Sequence, residues 1–398
     1  MAATKALPVR LRRLAAAVRR ALAEFVAAAA RPHAGAQASS AAKVFGVVGG
    51  LLAGSGAGSV ELPEDRADAM YHRWDGGGLT AQGPALLVRK SIADKVSVAA
   101  TYYVDMLSNA SIDVVTTASP YKETRSEYGL VADTVYRNSH LIVAGSHSTE
   151  PDYQANAVNL DVAQEVFGGM TAVNLGFTRG SDEVGKRNSP EFSETARHWR
   201  YRIGLTQILT PRSLANLNFE AISDDGYLGS PYRTALVFGA SVPERVPSTR
   251  SSRAVKASVL GEVSRNNVVY ADYRYFWDNW GIGANTVGAG FRRYFGESLL
   301  ADAYLRYYWQ DAALFYSDNA QTETAYVSRN RQLSTFSSIG ASAKLSYRAG
   351  VLPGGYPILL SGAYEFVSFR FDDFTDVRTG NLYSYNAHVL QLLVTAKF

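Results

Sequence analysis

The sequence predicts an all-β chain that closes into a single transmembrane antiparallel β-barrel of about 16 strands, preceded by a non-barrel N-terminal segment. Apolar and polar residues alternate with a period of two over long segments, short and long connections alternate between these segments, and Tyr and Trp cluster near segment ends. Of the 398 residues, 47% are hydrophobic and 12% are aromatic, which is too apolar for a disordered chain.

The first 58 residues differ in composition from the rest and form the predicted N-terminal segment. Residues 1–31 hold seven basic side chains against the single acid Glu24, so the net charge of +4 comes from this part of the chain. A basic start, apolar stretches at 21–30 and 44–58, and small residues nearby indicate an export signal, although Arg19 and Arg20 interrupt the first region. An amphipathic helix or a disordered tail is the alternative. Residues 59–398 form the predicted barrel.

The composition excludes several kinds of site. With no Cys, the chain has no disulfide, thiolate metal site or cysteine nucleophile. Acids slightly outnumber bases after residue 31, so no surface for a nucleic-acid partner is predicted. The glycine runs do not lie between a strand and a helix, which argues against a phosphate loop. We predict no cofactor and no metal.

Long alternating segments supply the strands. In residues 269–276 and 301–310, one face is apolar or aromatic and the other is mostly polar or charged, as in a half-buried strand. Most such segments exceed the usual strand length of about five or six residues. Strands are predicted at residues 67–75, 83–92, 95–107, 124–137, 139–150, 153–167, 170–182, 198–210, 213–224, 251–264, 267–278, 282–295, 298–314, 334–348, 357–371 and 385–398.

The connections divide into two classes. Those that follow even-numbered strands have one or two residues, apart from 349–356, and place both termini at the short-turn end. Those that follow odd-numbered strands are mostly longer, and include 225–250 and 315–333. Short periplasmic turns that alternate with long outer loops are typical of bacterial outer-membrane barrels. A soluble lipocalin-like binder is the alternative, but sixteen long strands argue against it.

Short segments along the barrel region carry a resemblance to a known family. They are Tyr121–Arg125, Glu150–Tyr153, Gln207–Pro211, Ser223–Leu228, Ser230–Arg233, Pro247–Arg250, Tyr273–Tyr275, Tyr304–Tyr308 and Phe315–Asp318. Their order and spacing resemble the bacterial outer-membrane family catalogued as domain of unknown function 3570 (DUF3570), over roughly residues 60–398. The resemblance implies a Gram-negative outer-membrane barrel and implies no reaction. The final Phe398, which ends an alternating strand, resembles the signal that the barrel assembly machinery reads.

The polar strand faces predict the character of the lumen. If the apolar faces meet outer-membrane lipid, sixteen strands enclose a lumen too wide for wall side chains to fill. This predicts a hydrated passage, or a sleeve for a periplasmic or lipoprotein partner; a solvated wall whose charges merely pair across strands is the alternative. The predicted lumen-lining residues are Asp105, Glu127, Asp133, Asp161, Arg200, Arg202, Glu220, Asp272, Arg274, Asp302, Arg306, Lys344, Glu365 and Lys397.

Acidic residues recur where strands meet the long loops and form a predicted acidic rim. Clustered carboxylates attract cations and can bind calcium, but Asp is also common in loops because of its turn chemistry. No twelve-residue calcium loop is present. The rim comprises Glu150, Asp152, Asp182, Glu183, Asp224, Asp225, Asp278, Asp311, Asp318, Asp372, Asp373 and Asp376.

The predicted function is therefore a passive, porin-like channel in the bacterial outer membrane, or a barrel scaffold for a periplasmic or surface partner. An enzyme is not predicted. The alternative is a lipase-like or protease-like hydrolase at the rim. His147, Asp224 and Asp225 are the residues to test for it, although neighbours in sequence rarely have the geometry of a triad.

Overall fold

A computed structural model describes residues 61–109, 111, 121–187 and 189–398, which are mostly β-strand. The predicted export signal lies outside these residues. Among the residues described, no helix is long and apolar enough to span a membrane. The strands are β1 (Arg66–Gly76), β2 (Leu79–Ile92), β3 (Val96–Asn109), β4 (Tyr121–Tyr136), β5 (Ser139–Glu150), β6 (Tyr153–Val166), β7 (Thr171–Gly185), β8 (Ser193–Thr210), β9 (Ser213–Gly226), β10 (Thr234–Val237), β11 (Ala240–Pro243), β12 (Thr249–Ser264), β13 (Asn267–Asp278), β14 (Gly283–Phe295), β15 (Leu299–Gln310), β16 (Phe336–Leu352), β17 (Tyr356–Thr375) and β18 (Leu382–Lys397).

Sixteen of these strands close into one antiparallel barrel, which confirms the predicted fold class. Neighbours in sequence pair along the barrel, β9 pairs with β12, and the closing pair is β1 with β18, where Ala67 lies opposite Ala396. The short strands β10 and β11 form a separate hairpin within the β9–β12 connection. The alternating sequence did not predict this hairpin, because each of its strands has only four residues.

The outward faces of the barrel strands form an apolar band. Leu305 and Ile339 are 62% and 58% exposed, whereas the inward neighbour Gly340 is buried. Because successive side chains point to opposite faces, one register fixes this partition along a whole strand. Every barrel strand contributes, through Tyr71, Leu86, Met106, Leu130, Val143, Leu160, Leu175, Ile203, Leu217, Val259, Val269, Val287, Leu305, Ile339, Leu360 and Leu392. An apolar surface this continuous is unfavourable in water and favourable in hydrocarbon.

The β1–β2 connection is much shorter than predicted. Strand β2 begins at Leu79 rather than at residue 83, and β1 and β2 are joined by only Gly77 and Gly78. Both glycines have positive φ, 59° and 79°, which a tight two-residue hairpin of this kind requires. Consecutive glycines between alternating segments are a hairpin signal, so the turn was readable from the sequence.

Two long connections fold together at the long-loop end of the barrel, where the β1–β2 turn also lies. Residues 311–335 join β15 to β16, and the β9–β12 connection carries the β10–β11 hairpin. Isolated bridges link Val237 with Ala320 and Arg245 with Val327 across these connections. We call residues 311–335 together with this hairpin the mouth cap.

Candidate functional site: the lumen and its mouth

The structure places all fourteen predicted lumen residues on the inward faces of their strands. Cross-strand register brings several of them directly opposite each other, as with Arg202 and Glu220, or Asp302 and Lys344. The inward face is not uniform, however. One part of it is buried, and another keeps substantial exposure to solvent.

The inward faces of β1–β5 form what we call the buried wall. Arg89 and Asp133 make an ion pair with side-chain exposures of only 2% and 1%. Arg89 also donates to Ser97 Oγ at 3.1 Å, and Nε2 of His140 lies 3.1 Å from Asp133. A buried pair of charges holds its place only where such additional hydrogen bonds satisfy it.

A second cluster on the buried wall centres on Asp105. Its carboxylate lies 2.7 Å from His72 Nε2, accepts a bond from Tyr103 Oη at 3.0 Å, and accepts one from Arg125 at 2.6 Å. The His72 and Tyr103 rings stack with centroids 4.7 Å apart. The cluster ties together strands β1, β3 and β4.

The inward faces of β6–β9 form what we call the open wall. Arg202 pairs with Asp161 at 2.8 Å, but their side chains remain 39% and 31% exposed. Arg200 pairs with Glu220 at 2.9 Å, with exposures of 26% and 25%. Charges of both signs therefore face water along this side of the lumen.

A glycine makes the Arg202–Asp161 pair fit. A Cβ at Gly176 would lie 2.3 Å from Asp161 Oδ1 and 2.6 Å from Arg202 Nε. The ion pair therefore crosses β7 at Gly176, where the missing side chain leaves room for it.

Between β12 and β17, tyrosines and ion pairs together line the wall. Tyr270 donates to Asp302 at 2.6 Å and Tyr304 donates to Asp272 at 2.9 Å, and the two rings stack. They lie across Gly290 and Gly288, where a Cβ would overlap the phenol rings. Arg306 lies 3.5 Å from Glu365. These inward tyrosines narrow the lumen on this side.

Near the long-loop end, His198 lies between two carboxylates. Its Nδ1 is 2.7 Å from Asp224 and its Nε2 is 3.0 Å from Asp182, which also accepts a hydrogen bond from Tyr153. Both ring nitrogens are thus engaged, and neither is free to accept a proton from a nucleophile.

The residues proposed for a rim hydrolase do not come together. His147 lies on the outward face of β5, where its Nδ1 is 2.9 Å from Asn156 Oδ1. Asp224 faces inward with His198, and Asp225 is opposite Arg197 on the other face. The sequence suggested His147 because of its acidic neighbours, whereas strand alternation points it away from them.

The acidic rim lies at the long-loop end, but its members bind local groups. Asp318 pairs with Arg329 at 2.6 Å, and Asp373 accepts from the Thr335 backbone at 2.9 Å. Among the described residues, no group of three or more His, Asp or Glu side chains is arranged to hold a metal ion. Of the other predicted rim residues, Glu150 ends β5, Asp152 lies in the β5–β6 turn, and Asp372 is exposed on β17.

Asp152 is held by a phenol from a distant loop. Tyr232 donates to Asp152, and the backbone N–H of Arg187 donates to the same phenol at 2.6 Å. Burial, together with the neighbouring carboxylate, raises the pKa of Tyr232 to about 12. The phenol therefore stays protonated at ordinary pH and keeps donating to Asp152.

The mouth cap packs on an aromatic cluster at the long-loop end. Phe336, Phe369 and Phe371 are at most 5% exposed and turn inward, where Leu333 of the cap joins them. The Arg331 guanidinium lies 5.2 Å from the centroid of the Tyr385 ring. This packing holds residues 311–335 against the inward face of the last strands and narrows the mouth there.

The sequence analysis missed several inward polar residues. Strand parity could have found them, since Arg125 lies two positions from Glu127 and Lys256 two from Ser258. The missed residues are His72, Arg89, Arg125, His140, His198, Arg250, Lys256 and Arg292.

One row of buried polar atoms has no hydrogen-bond partner among the described residues. Glu127, Ser148, Ala155 and Asp182 are successive partners across β4–β7, and all four are at most 5% exposed. Both carboxylate oxygens of Glu127, the Ser148 hydroxyl and Asp182 Oδ1 are unpaired. Such groups cost free energy when they are buried.

The sequence profile of a family described as "Protein of unknown function (DUF3570)" matches residues 111–350. This match confirms the resemblance found in the short segments. No curated protein matches the chain.

Several solved structures show a low level of similarity to this chain. The chain is similar to the siderophore receptor PirA from Pseudomonas aeruginosa, at 10% identity and a TM-score of 0.43, covering 84% of this chain and 63% of the receptor, which is thus the longer protein. It is similar to a bacterial polysaccharide outer membrane secretin, at 7% identity and a TM-score of 0.49, covering 83% and 98%. It is also similar to OccK1 from P. aeruginosa, at 10% identity and a TM-score of 0.41, covering 84% and 98%. These likenesses carry no information on a ligand or an activity.

Proposed function

Because the chain belongs to the family of unknown function DUF3570, which names no activity, we propose a function from the geometry of the barrel. The protein is a passive passage for small polar solutes in the outer membrane of a Gram-negative cell. Solutes follow the open wall, and the mouth cap restricts entry at the long-loop end.

The apolar outer band supports the membrane location. Large apolar side chains on all sixteen strands face outward, while ion pairs face inward. A soluble barrel would have the opposite arrangement, with apolar residues inside. Phe398, 42% exposed, is accessible to the barrel assembly machinery, the partner that we propose for biogenesis.

The observation that carries the passage is the partial exposure of charges on the open wall. Arg202, Asp161 and their neighbours are paired, yet they keep a quarter to two-fifths of their side-chain surface open. Because the open wall carries charges of both signs, the passage should discriminate little between anions and cations. This suits small polar or zwitterionic solutes. The engaged nitrogens of His198 favour a passive role over a hydrolytic one.

Conductance in a planar lipid bilayer tests this proposal. We expect small, stable single-channel currents from the full chain. Replacing residues 311–335 by a short Gly-Ser turn should raise the conductance severalfold, because the cap is then lost from the mouth. As a control, Asn138→Gly changes a turn at the opposite end and should leave the conductance unchanged. If neither the full chain nor the shortened barrel conducts, the proposed passage is wrong. The alternative, a barrel that acts as a scaffold for a partner, then replaces it.

A further inference from the structure

Two basic side chains lie side by side on the inward faces of β12 and β13. Lys256 and Arg274 are directly opposite each other in the register of the two strands. Like charges in directly opposed positions destabilise a sheet. A negative group that binds beside both of them would offset this repulsion.

The neighbouring carboxylates compensate these bases only in part. Glu220 pairs with Arg200 at 2.9 Å, and its second oxygen lies 3.9 Å from Arg274, which is too far for a hydrogen bond. Asp272 lies 3.4 Å from Lys256. Three bases therefore share two carboxylates in this group, and one positive charge is left over.

The Arg274 guanidinium is positioned without using its N–H groups. It lies 5.4 Å from the centroid of the Phe276 ring, a contact made over the face of the ring. The residues that the structure describes supply no hydrogen-bond acceptor to it. A guanidinium with uncommitted N–H groups offers the two parallel donors that a carboxylate accepts.

A buried hydroxyl on the next strand also lacks a partner. Thr286 of β14 is directly opposite Arg274 and is only 2% exposed, and its Oγ1 has no hydrogen-bond partner within the described part of the chain. An unsatisfied hydroxyl of this kind costs free energy when it is buried. Because directly opposite side chains start about 5 Å apart, one anion can reach both groups.

The group can be reached from the lumen, just inside the mouth. The side chains of Arg274 and Lys256 keep 21% and 17% of their surface exposed. Arg274 is four residues from the long-loop end of β13, and Thr286 is three residues from that of β14. A solute that has passed the mouth cap therefore meets this group early.

We propose that Arg274, Lys256 and Thr286 bind the carboxylate of a small organic acid in the lumen. The single surplus charge matches a monoanion, and the guanidinium matches two coplanar oxygens better than a spherical chloride ion. The inference rests on the proposed passage, since it names a class of solute that the passage takes up. Zwitterionic acids belong to this class.

Fluorine NMR of fluoroacetate with the purified full chain in detergent micelles tests the site. We expect the protein to broaden the fluorine line, and we expect acetate to reverse the broadening while an equal concentration of chloride does not. The neutral counterpart fluoroacetamide should not broaden. The inference is overturned if the protein causes no broadening, or if chloride reverses it as well as acetate does, because charge alone then attracts the anion.

Three variants locate the bound carboxylate. Arg274→Gln should weaken the binding of fluoroacetate more than about tenfold, since it removes a charge-assisted pair. Thr286→Val keeps the shape of the side chain and should weaken binding about fivefold, although it removes an unsatisfied hydroxyl and should fold at least as stably. The control Arg253→Gln, at an exposed outward position of β12, should bind like the unmodified chain.

The variants and the current keep the outcomes separate. If Arg274→Gln does not fold, Thr286→Val still decides, and unchanged binding in either folded variant overturns the inference. A barrel that conducts in the planar bilayer but does not bind fluoroacetate overturns this inference alone. A barrel that binds fluoroacetate but carries no current overturns the passage alone.

Discussion

The buried wall and the open wall use the same types of residue for different purposes. Arg89 and Asp133 on the buried wall are at most 2% exposed, whereas Arg202 and Asp161 on the open wall are 39% and 31% exposed. Both are inward Arg–Asp pairs within about 3 Å. The comparison shows that the surroundings of an ion pair, and not its residue types, decide whether it holds the barrel together or faces a solute.

The largest expected effect comes from breaking the buried pair. Arg89→Ala leaves the Asp133 carboxylate buried without its main partner, and we expect a loss of about 3–5 kcal/mol in the free energy of unfolding. Urea unfolding in lipid vesicles, followed by tryptophan fluorescence, measures it. A loss below that of the open-wall variant Arg202→Ala would show that the two walls do not differ.

Removing the charge of the buried Glu127 carboxylate is expected to raise the free energy of unfolding. Glu127 is 1% exposed, and neither of its oxygens has a hydrogen-bond partner among the residues that the structure describes. Glu127→Gln removes a charge that the wall does not satisfy, and we expect a gain of about 1–3 kcal/mol at pH 8 in the same unfolding experiment. The control is Glu220→Gln on the open wall, which should gain nothing. A destabilised Glu127→Gln protein would mean that the carboxylate has a partner after all.

The smallest effect on stability is expected on the open wall, where the effect on permeation is largest. Arg202→Ala should cost only about 0.2–1 kcal/mol, since its pair is solvated. It leaves the negative charge of Asp161 facing the passage, so the reversal potential in a KCl gradient should move toward cation selectivity. The buried-wall variant Arg125→Ala should not move it. An unchanged reversal potential in Arg202→Ala would show that permeating ions do not pass along the open wall.

The two walls also show how far sequence reasoning reaches. Alternation around residues such as Asp161, Arg202 and Asp302 predicted the inward face, because a period of two fixes every side chain once the register is known. Burial was not predictable in the same way. Arg89 and Asp133 are 44 positions apart, and they meet only because the registers of β2 with β3 and of β3 with β4 bring them together.

The structure of the long-loop end could be predicted from the sequence less well than that of the short-turn end. Local chemistry determines a short turn such as Arg265–Asn266, where Asn266 has a positive φ of 72°, so its position can be read from a few residues. The mouth cap depends instead on contacts such as Val237 with Ala320, between connections far apart in the chain. The site around His198 likewise brings together residues of β7, β8 and β9, and no local sequence motif indicates it.

The most direct test of this account asks which medium each strand face meets. The chain has no Cys, so Leu160→Cys and Asn159→Cys each give a single site for a nitroxide label, on the outward and inward faces of β6. In lipid vesicles, electron paramagnetic resonance compares collisions of the label with oxygen, which concentrates in hydrocarbon, and with a water-soluble nickel chelate. The account predicts that the label at residue 160 favours oxygen and the label at residue 159 favours the chelate. The reverse pattern, or a chelate preference at both residues, would contradict it.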